Sequence, residues 1–429
     1  MTFFKSIVFV FSLVFLFSGI VLGQRKVELK NLRSKYAIED NRENEAKAFK
    51  ERLDAHFVNF EVGKKQNETI SLFKELNVRN YRCKNLKAVL KTVFDSFEQA
   101  GNNLLYSAIA TANNFYPDDF SSEINKILNE TESENVFAAA AVYLSQNNSD
   151  FKTAEIISLL KQKFENYEKH LLLKLLINEL EPDSTERKIS KEMLKALLSH
   201  PFQKEKTVIF SFQRKNRNYP GITILRKPDG NFATNEDGTI FSIPQLAASA
   251  VNFPGFMKDG ETPEGIFSIV GWYITPTESI GPTPIVLTRS PFEVSPEIFY
   301  HGKQKSNKWN LQDYLELLPI ELGNYSPLRE AFYAGKLGRK LIIMHGSADD
   351  LKFFEKKPYY PLTPSLGCLT TKEIWNPKTG KAVESDQAKL MNAFFATNVL
   401  EGFLIVIEID NQNKPVTIDE ILPLLSDNN

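Results

Sequence analysis

Apolar residues are arranged in two ways along this chain, and the change comes near Pro201. Between Asn67 and His200 they recur at helical spacing. In "SDFKTAEIISLLKQKFENYEKHLLLKLLINELEP", Ile157, Leu160 and Phe164 fall three and four residues apart, Ser149 or Asp150 can cap the start, and Pro182 lies just past the end. Several such stretches, separated by "NNFYPDD", "NETESEN" and "EPDSTE", predict an antiparallel helical array without a demonstrable fixed repeat. Beyond Pro201, short β-branched and aromatic runs alternate with Asn, Pro and Gly. "TVIFSFQR", "GITILRKPDG", "GIFSIVGWYI", "PIVLTR", "KLIIMHG" and "EGFLIVIEID" are predicted strands; "QLAASAV", "LQDYLELL" and "DQAKLMNAFFATNVL" are predicted helices. The pattern predicts an α+β chain, with an α-helical domain over 67–200 and a mainly β domain over 201–429.

The N-terminus reads differently. Lys5 precedes an apolar run from Ile7 to Leu22 that ends in Val21-Leu22-Gly23, so residues 1–23 are predicted to be a secretory signal peptide; an uncleaved membrane anchor is the competing reading. Residues 24–66, with "NLRSKYAIEDNRENEAKAFKERLD", form a charged linker or solvated helix, expected to lead away from the signal as a stalk. With 52 basic and 53 acidic side chains, the net charge of -1 supplies no field favouring nucleic acid or an anionic membrane, so neither is expected as a partner unless the signal segment stays uncleaved and anchors the chain. No GxxxxGK, HExxH or paired CxxC occurs, and "NPKTGK" reads as a hairpin turn; no cofactor and no metal are implied.

Of the two cysteines, Cys83 sits in the helical stretch "NYRCKNLKAVLKTVF" and Cys368 in a Gly- and Pro-punctuated loop. An exported chain leaves a disulfide between them open, although a small buried hydrophobe is the simpler reading of Cys83. The stretch "HGSADDLKFFEKKPYYPLTPSLGC", from His345 to Cys368, holds the candidate chemistry. A predicted buried strand, Lys340 to Met344, delivers His345 at its end, and Gly346 permits a turn there. Gly367 lets backbone N–H groups face a reacting carbonyl. A thiol near its reference pKa is only about 3% thiolate at neutral pH, so a nucleophilic Cys368 needs a base, and His345 is the candidate. One His and one Cys at this spacing also occur in structural cores. His170 and His200 read as packing or surface residues, and His301 in "FYHGK" ranks below His345 because no aliphatic strand precedes it.

"DGETPEGIFSI" (Asp259 to Ile269), followed by "HG" and then "SLGC", resembles in order the motifs of the L,D-transpeptidase catalytic domain, also called YkuD, over roughly Lys206 to Asp410. The resemblance implies an exported peptidoglycan enzyme in the periplasm or cell envelope: a cell wall biogenesis transferase with Cys368 as nucleophile, His345 as base, and the Gly346 carbonyl holding the imidazole tautomer. It implies an oxyanion site at the Gly367 and Cys368 amides, and a loop braced by Ser365. Peptidoglycan tetrapeptide stems would be the substrate, with transfer to an amine, or to water as an L,D-carboxypeptidase. The helical domain would recruit or position, with a protein partner left open, and a fragment starting near Lys204 would fold alone.

The sequence departs from the family pattern. Leu366 stands where the commonest loop has a second His, and Thr370 where it has an Arg; Lys372 is the nearest substitute cation for a substrate carboxylate. "LKFFEKKPYY" reads as an insertion near the cleft. Thr275 to Arg339 reads as a lid or cap, in which Trp309, Tyr314, Tyr325 and Tyr333 either line a cleft or pack in a core. The competing function is a catalytically decayed peptidoglycan-binding or scaffolding protein; a cysteine peptidase or amidase of another fold gives no reason for "TPEGIF".

Overall fold

A computed structural model describes residues 25–147, 151–181 and 188–425. The predicted signal peptide, the Ser149 or Asp150 cap and Pro182 lie outside them. The chain is α+β. Helices α1 (Glu39–Phe57), α2 (Gln66–Val78), α3 (Leu86–Asp95), α4 (Asn102–Phe115), α5 (Ser121–Glu130), α6 (Glu134–Asn147), α7 (Thr153–Lys163) and α8 (Leu171–Leu180) build the first half. Its centre is α4 against α6. Ala138, Ala139, Ala140 and Ala141 are fully buried, and their small side chains let neighbouring helices approach closely. No helix among the described residues is long and apolar enough to cross a membrane.

Helix α9 (Lys191–Ser199) precedes the boundary expected at Pro201, yet it belongs to the core of the second half. Its Leu194, Leu197 and Leu198 are buried there, at about 1.5–3 kcal/mol each. That half is built on strands β1 (Thr207–Arg214), β2 (Gly221–Arg226), β3 (Ser242–Gln245), β4 (Gly265–Tyr273), β5 (Ile285–Arg289), β6 (Met344–His345), β7 (Leu369–Thr370), a separate hairpin of β8 (Glu373–Trp375) and β9 (Ala382–Ser385), and β10 (Gly402–Asp410). The sheet order is β3-β2-β1-β10-β4-β5-β6-β7, with β1/β10 and β6/β7 parallel and the other neighbours antiparallel. Both faces are covered, which explains the unbroken apolar runs. Phe210, Ile266, Phe403 and Ile405 point to the layer of α9, α10 (Pro296–Phe299), α11 (Leu311–Leu315), α12 (Glu330–Lys336) and α14 (Ile418–Leu425). Ile209, Phe267, Leu404 and Val406 point to α13 (Asp386–Ala396).

Several expectations need correcting. "QLAASAV" is not a helix: Leu246 and Ser249 make bridges to Thr370 and Ser365, and this tertiary pairing outweighs the helix preference of its alanines. The strand expected over Lys340–Met344 shrinks to Met344–His345 because Leu341 has a left-handed backbone (φ 59). The segment Thr275–Arg339 packs as a layer rather than a lid. Its Tyr314 and Tyr325 are buried, and Trp309 and Tyr333 lie against the same core.

The charged N-terminal segment does not lead away as a stalk. Residues 25–38 lie along the second half. The Val27 N–H donates to Asn392 Oδ1 at 2.7 Å, and Leu32 and Ala37 pack with Trp375 and Ala388. Arg42 donates to the Ala348 and Asp349 carbonyls, holding α1 against the segment after His345. The two halves also share one apolar core, because Val251, Phe253, Phe256, Met257 and Ala334 pack into the helical array. A fragment starting at Lys204 would expose these side chains, so independent folding is no longer expected.

Candidate functional site

The three sequence motifs meet at one end of the sheet. Parallel pairing of β6 with β7 sets Met344 opposite Leu369 and His345 opposite Thr370. Cys368 immediately precedes β7, so it is a diagonal neighbour of His345, a relation that places Cα atoms about 7–8 Å apart and within reach of long side chains. Pairing across the ladder puts His345 and Thr370 on the same side of the sheet, and Cys368 leads into β7 two residues before Thr370. The "TPEGIF" turn reaches this loop through Thr262, whose Oγ1 donates to the Gly367 carbonyl at 2.9 Å. Glu264 of the same turn accepts from the Glu408 N–H at 2.7 Å and ties the turn to β10.

His345 is buried, and its Nδ1 is 2.5 Å from the Gly346 carbonyl. That contact requires Nδ1 to carry the proton, leaving Nε2 as the basic atom; Nε2 makes no protein hydrogen bond among the described residues. Burial lowers the imidazole pKa, against the upward pull of the Gly346 carbonyl, so the ring is neutral and able to accept a proton near pH 7. Gly346 has to be glycine because a Cβ there would collide with the carboxyl of Glu373. That buried carboxyl accepts from Thr283 Oγ1 at 2.6 Å and Ser385 Oγ at 2.5 Å, and burial pushes its pKa up to about 7.

The loop that carries Cys368 is tightly braced. Ser365 Oγ donates to the Cys368 carbonyl at 2.9 Å and accepts from the Gly367 N–H at 3.1 Å. Ser365 therefore ties the Gly367–Cys368 turn together through both ends of its hydroxyl. The second bond occupies the Gly367 amide, whereas the Cys368 N–H makes no protein hydrogen bond among the described residues. Gly367 has φ 117, and a Cβ there would overlap the guanidinium of Arg339. Cys368 is half-buried, and its Sγ donates to the Leu341 carbonyl at 3.4 Å rather than to His345. The left-handed turn at Leu341 is what aims that carbonyl at the thiol. Burial raises the thiol pKa, against the pull of the Ile343 N–H and the Arg339 charge. The resting pair is thus a neutral thiol and a neutral imidazole.

The departures also find places. Leu366 packs against the helical array and anchors the Cys368 loop to the first half. Thr370 is buried, with Oγ1 donating to the Thr363 carbonyl at 2.6 Å, so an arginine at this position would have no room. Lys372 does not offer the expected free cation, because its Nζ is 2.5 Å from Glu384 and 3.9 Å from Asp386. Both cysteines are free, and Cys83 is buried among the helices. His170 pairs with Glu134 at 2.6 Å, and His200 lies edge-on to Phe202. Among the described residues no group of three His, Cys, Asp or Glu side chains is arranged to hold a metal. Sequence reasoning missed Arg339 and Glu373. Both are charged residues in polar stretches, and their burial follows only from long-range packing.

Compared with protein-family models, curated proteins and solved structures, the chain matches none.

Proposed function

We propose that the chain is a cysteine acyltransferase of the L,D-transpeptidase type, acting on peptidoglycan tetrapeptide stems. The observation that carries this reading is the convergence of Thr262, His345 and Cys368, from three separated motifs, on one loop. In the proposed reaction His345 Nε2 takes the thiol proton and the Cys368 thiolate attacks the carbonyl carbon of the third stem residue. A C–S bond forms and the C–N bond to the terminal D-alanine breaks, with the imidazolium returning its proton to the departing amine. A second amine then attacks the thioester, the C–S bond breaks, and the thiol is restored. Attack by water instead gives L,D-carboxypeptidase activity. The Cys368 N–H supports the oxyanion in both steps.

The test is incubation of the full chain with tetrapeptide-containing muropeptides, followed by mass analysis. Loss of D-alanine with formation of cross-linked dimers supports transfer, and loss of D-alanine alone supports hydrolysis. Intact substrate after prolonged incubation with folded, reduced protein overturns the reading. A second reading, a peptidoglycan-binding or scaffolding protein whose chemistry has decayed, is favoured by the buried Thr370 and the paired Lys372, which leave no free cation at those positions for the stem carboxylate. Retained binding to muropeptides without turnover separates the two.

A further inference from the structure

Arg339 follows the C-terminus of α12, where the Arg339 N–H donates to the Ala334 carbonyl at 2.9 Å and Gly338 takes a left-handed backbone (φ 92). This cap turns the side chain inward, and only 7% of the residue is exposed. The guanidinium sits in a bowl of backbone carbonyls. Nη1 donates to Gly255 at 2.7 Å and to Met257, and Nη2 to Gly260 at 3.0 Å and Glu261 at 3.2 Å. The four bonds match the four Nη hydrogens, so this arginine cannot grip a substrate carboxylate with its two-pronged end.

Its charge is poorly compensated. Arg214 pairs with Asp410 and Glu420, and Arg217 with Glu408, but Arg339 has no carboxylate at ion-pair distance among the described residues. Asp259, in the same turn as the carbonyl bowl, is itself committed to Lys74 at 2.9 Å. Burying a lone cation is costly, and carbonyl dipoles offset only part of that cost. At the rim of the bowl, beside the Gly260 carbonyl, Nη2 packs against Gly367, the residue before Cys368.

We infer that Arg339 is a positioning residue whose fixed, buried charge stabilises the Cys368 thiolate and the negative charge that develops when it attacks. The cation arrives from the segment before His345 rather than from the chain position after the nucleophile, where Thr370 is enclosed. This rests on the reading of Cys368 as a nucleophile and is independent of the substrate. A cation packed against the residue before the thiol lowers the thiol pKa, acting against burial and against the Glu293 charge, which both raise it.

The test is the pH dependence of iodoacetamide alkylation in the full chain, read on the Cys368 peptide by mass spectrometry. Arg339→Gln should move the alkylation midpoint up by about one pH unit, slowing the reaction at pH 7 roughly tenfold, whereas Arg339→Lys should keep the midpoint near that of the unaltered protein. A purely structural arginine would lower the melting temperature in both variants without moving the midpoint, and that result overturns the inference. Should Arg339→Gln fail to fold, Asp259→Asn gives a test of opposite sign at a left-handed position that asparagine accepts. Removing this nearby negative charge should lower the midpoint and speed alkylation; an unchanged or raised midpoint overturns the inference. A shifted midpoint without muropeptide turnover leaves Arg339 in place and rejects the substrate.

Discussion

Two His-Gly pairs in this chain differ in which ring nitrogen is occupied. His345 is buried and His301 is half-buried with its ring enclosed, and burial lowers both imidazole pKa values. His301 Nε2 lies 2.9 Å from the Gly402 carbonyl and 3.2 Å from Ser268 Oγ, and Nδ1 faces Glu401 at 3.8 Å. Its ring is used to fasten the start of β10. His345 spends only Nδ1, on the carbonyl of the next residue, and leaves Nε2 without a protein hydrogen bond among the described residues. A buried histidine is thus a candidate base when its bonding leaves the basic nitrogen unpaired.

The comparison can be broken at its thiol. Cys368→Ala should abolish the proposed acyl transfer, and with it the single covalent mass increment expected on the Cys368 peptide when the parent protein meets a carbapenem with its strained ring carbonyl. An adduct persisting in the variant would place the reactive group elsewhere.

Exchanging the two histidines should give unequal results. His345→Gln should slow acylation of Cys368 roughly a hundredfold or more, as expected for loss of a general base. His301→Ala should leave acylation within about twofold but cost about 1–3 kcal/mol of stability, measured by denaturant unfolding. The reverse pattern would transfer the base assignment to His301.

Acid should reveal what the two rings share. Each folded-state pKa lies below the unfolded value of about 6.5, so below that pH the unfolded chain binds protons that the folded chain resists. Stability from these groups is complete above about pH 6.5 and is lost as pH falls. The buried carboxyls of Glu330 and Glu373, both raised to about 7, act with opposite sign and lose their contribution as pH rises toward 7. The difference between the parent protein and His301→Ala isolates the imidazole: the parent should lose more melting temperature than the variant between pH 7 and 5.5. Equal losses would mean that His301 titrates as if exposed. The smallest effect is expected at Leu366→Ala, about 1–2 kcal/mol from partial loss of packing against the helices, with a modest drop in Cys368 reactivity as the loop loosens.

Much of this arrangement was legible in the sequence. The runs "TVIFSFQR" and "EGFLIVIEID" became β1 and β10 because a strand covered on both faces needs little besides apolar and β-branched residues. His345 and Cys368 could be picked out at a strand end and a Gly-punctuated loop, whereas the "TPEGIF" turn and Ser365 came into view only through the resemblance of "TPEGIF" and "SLGC" to the family motifs. "QLAASAV" could not be read correctly, since local preference favours a helix and only its bridges to Ser365 and Thr370 make it extended. Arg339 was illegible for a related reason. "KLGRKL" looks solvated until the carbonyl bowl from residues 255–261 closes around one of its cations.

The contact between Val27 and Asn392 joins residues 365 positions apart. Chain closure over such a distance carries a large entropic cost that no local contact can offset in advance, and folds dominated by long-range pairings form slowly. The helical array lacks part of its core until Val251, Phe253 and Phe256 are made, and residues 25–38 have nowhere to bind until α13 has followed them. The opening segment of the fold is therefore among the last to be seated, and it closes over the segment after His345 only when nearly the whole chain is present.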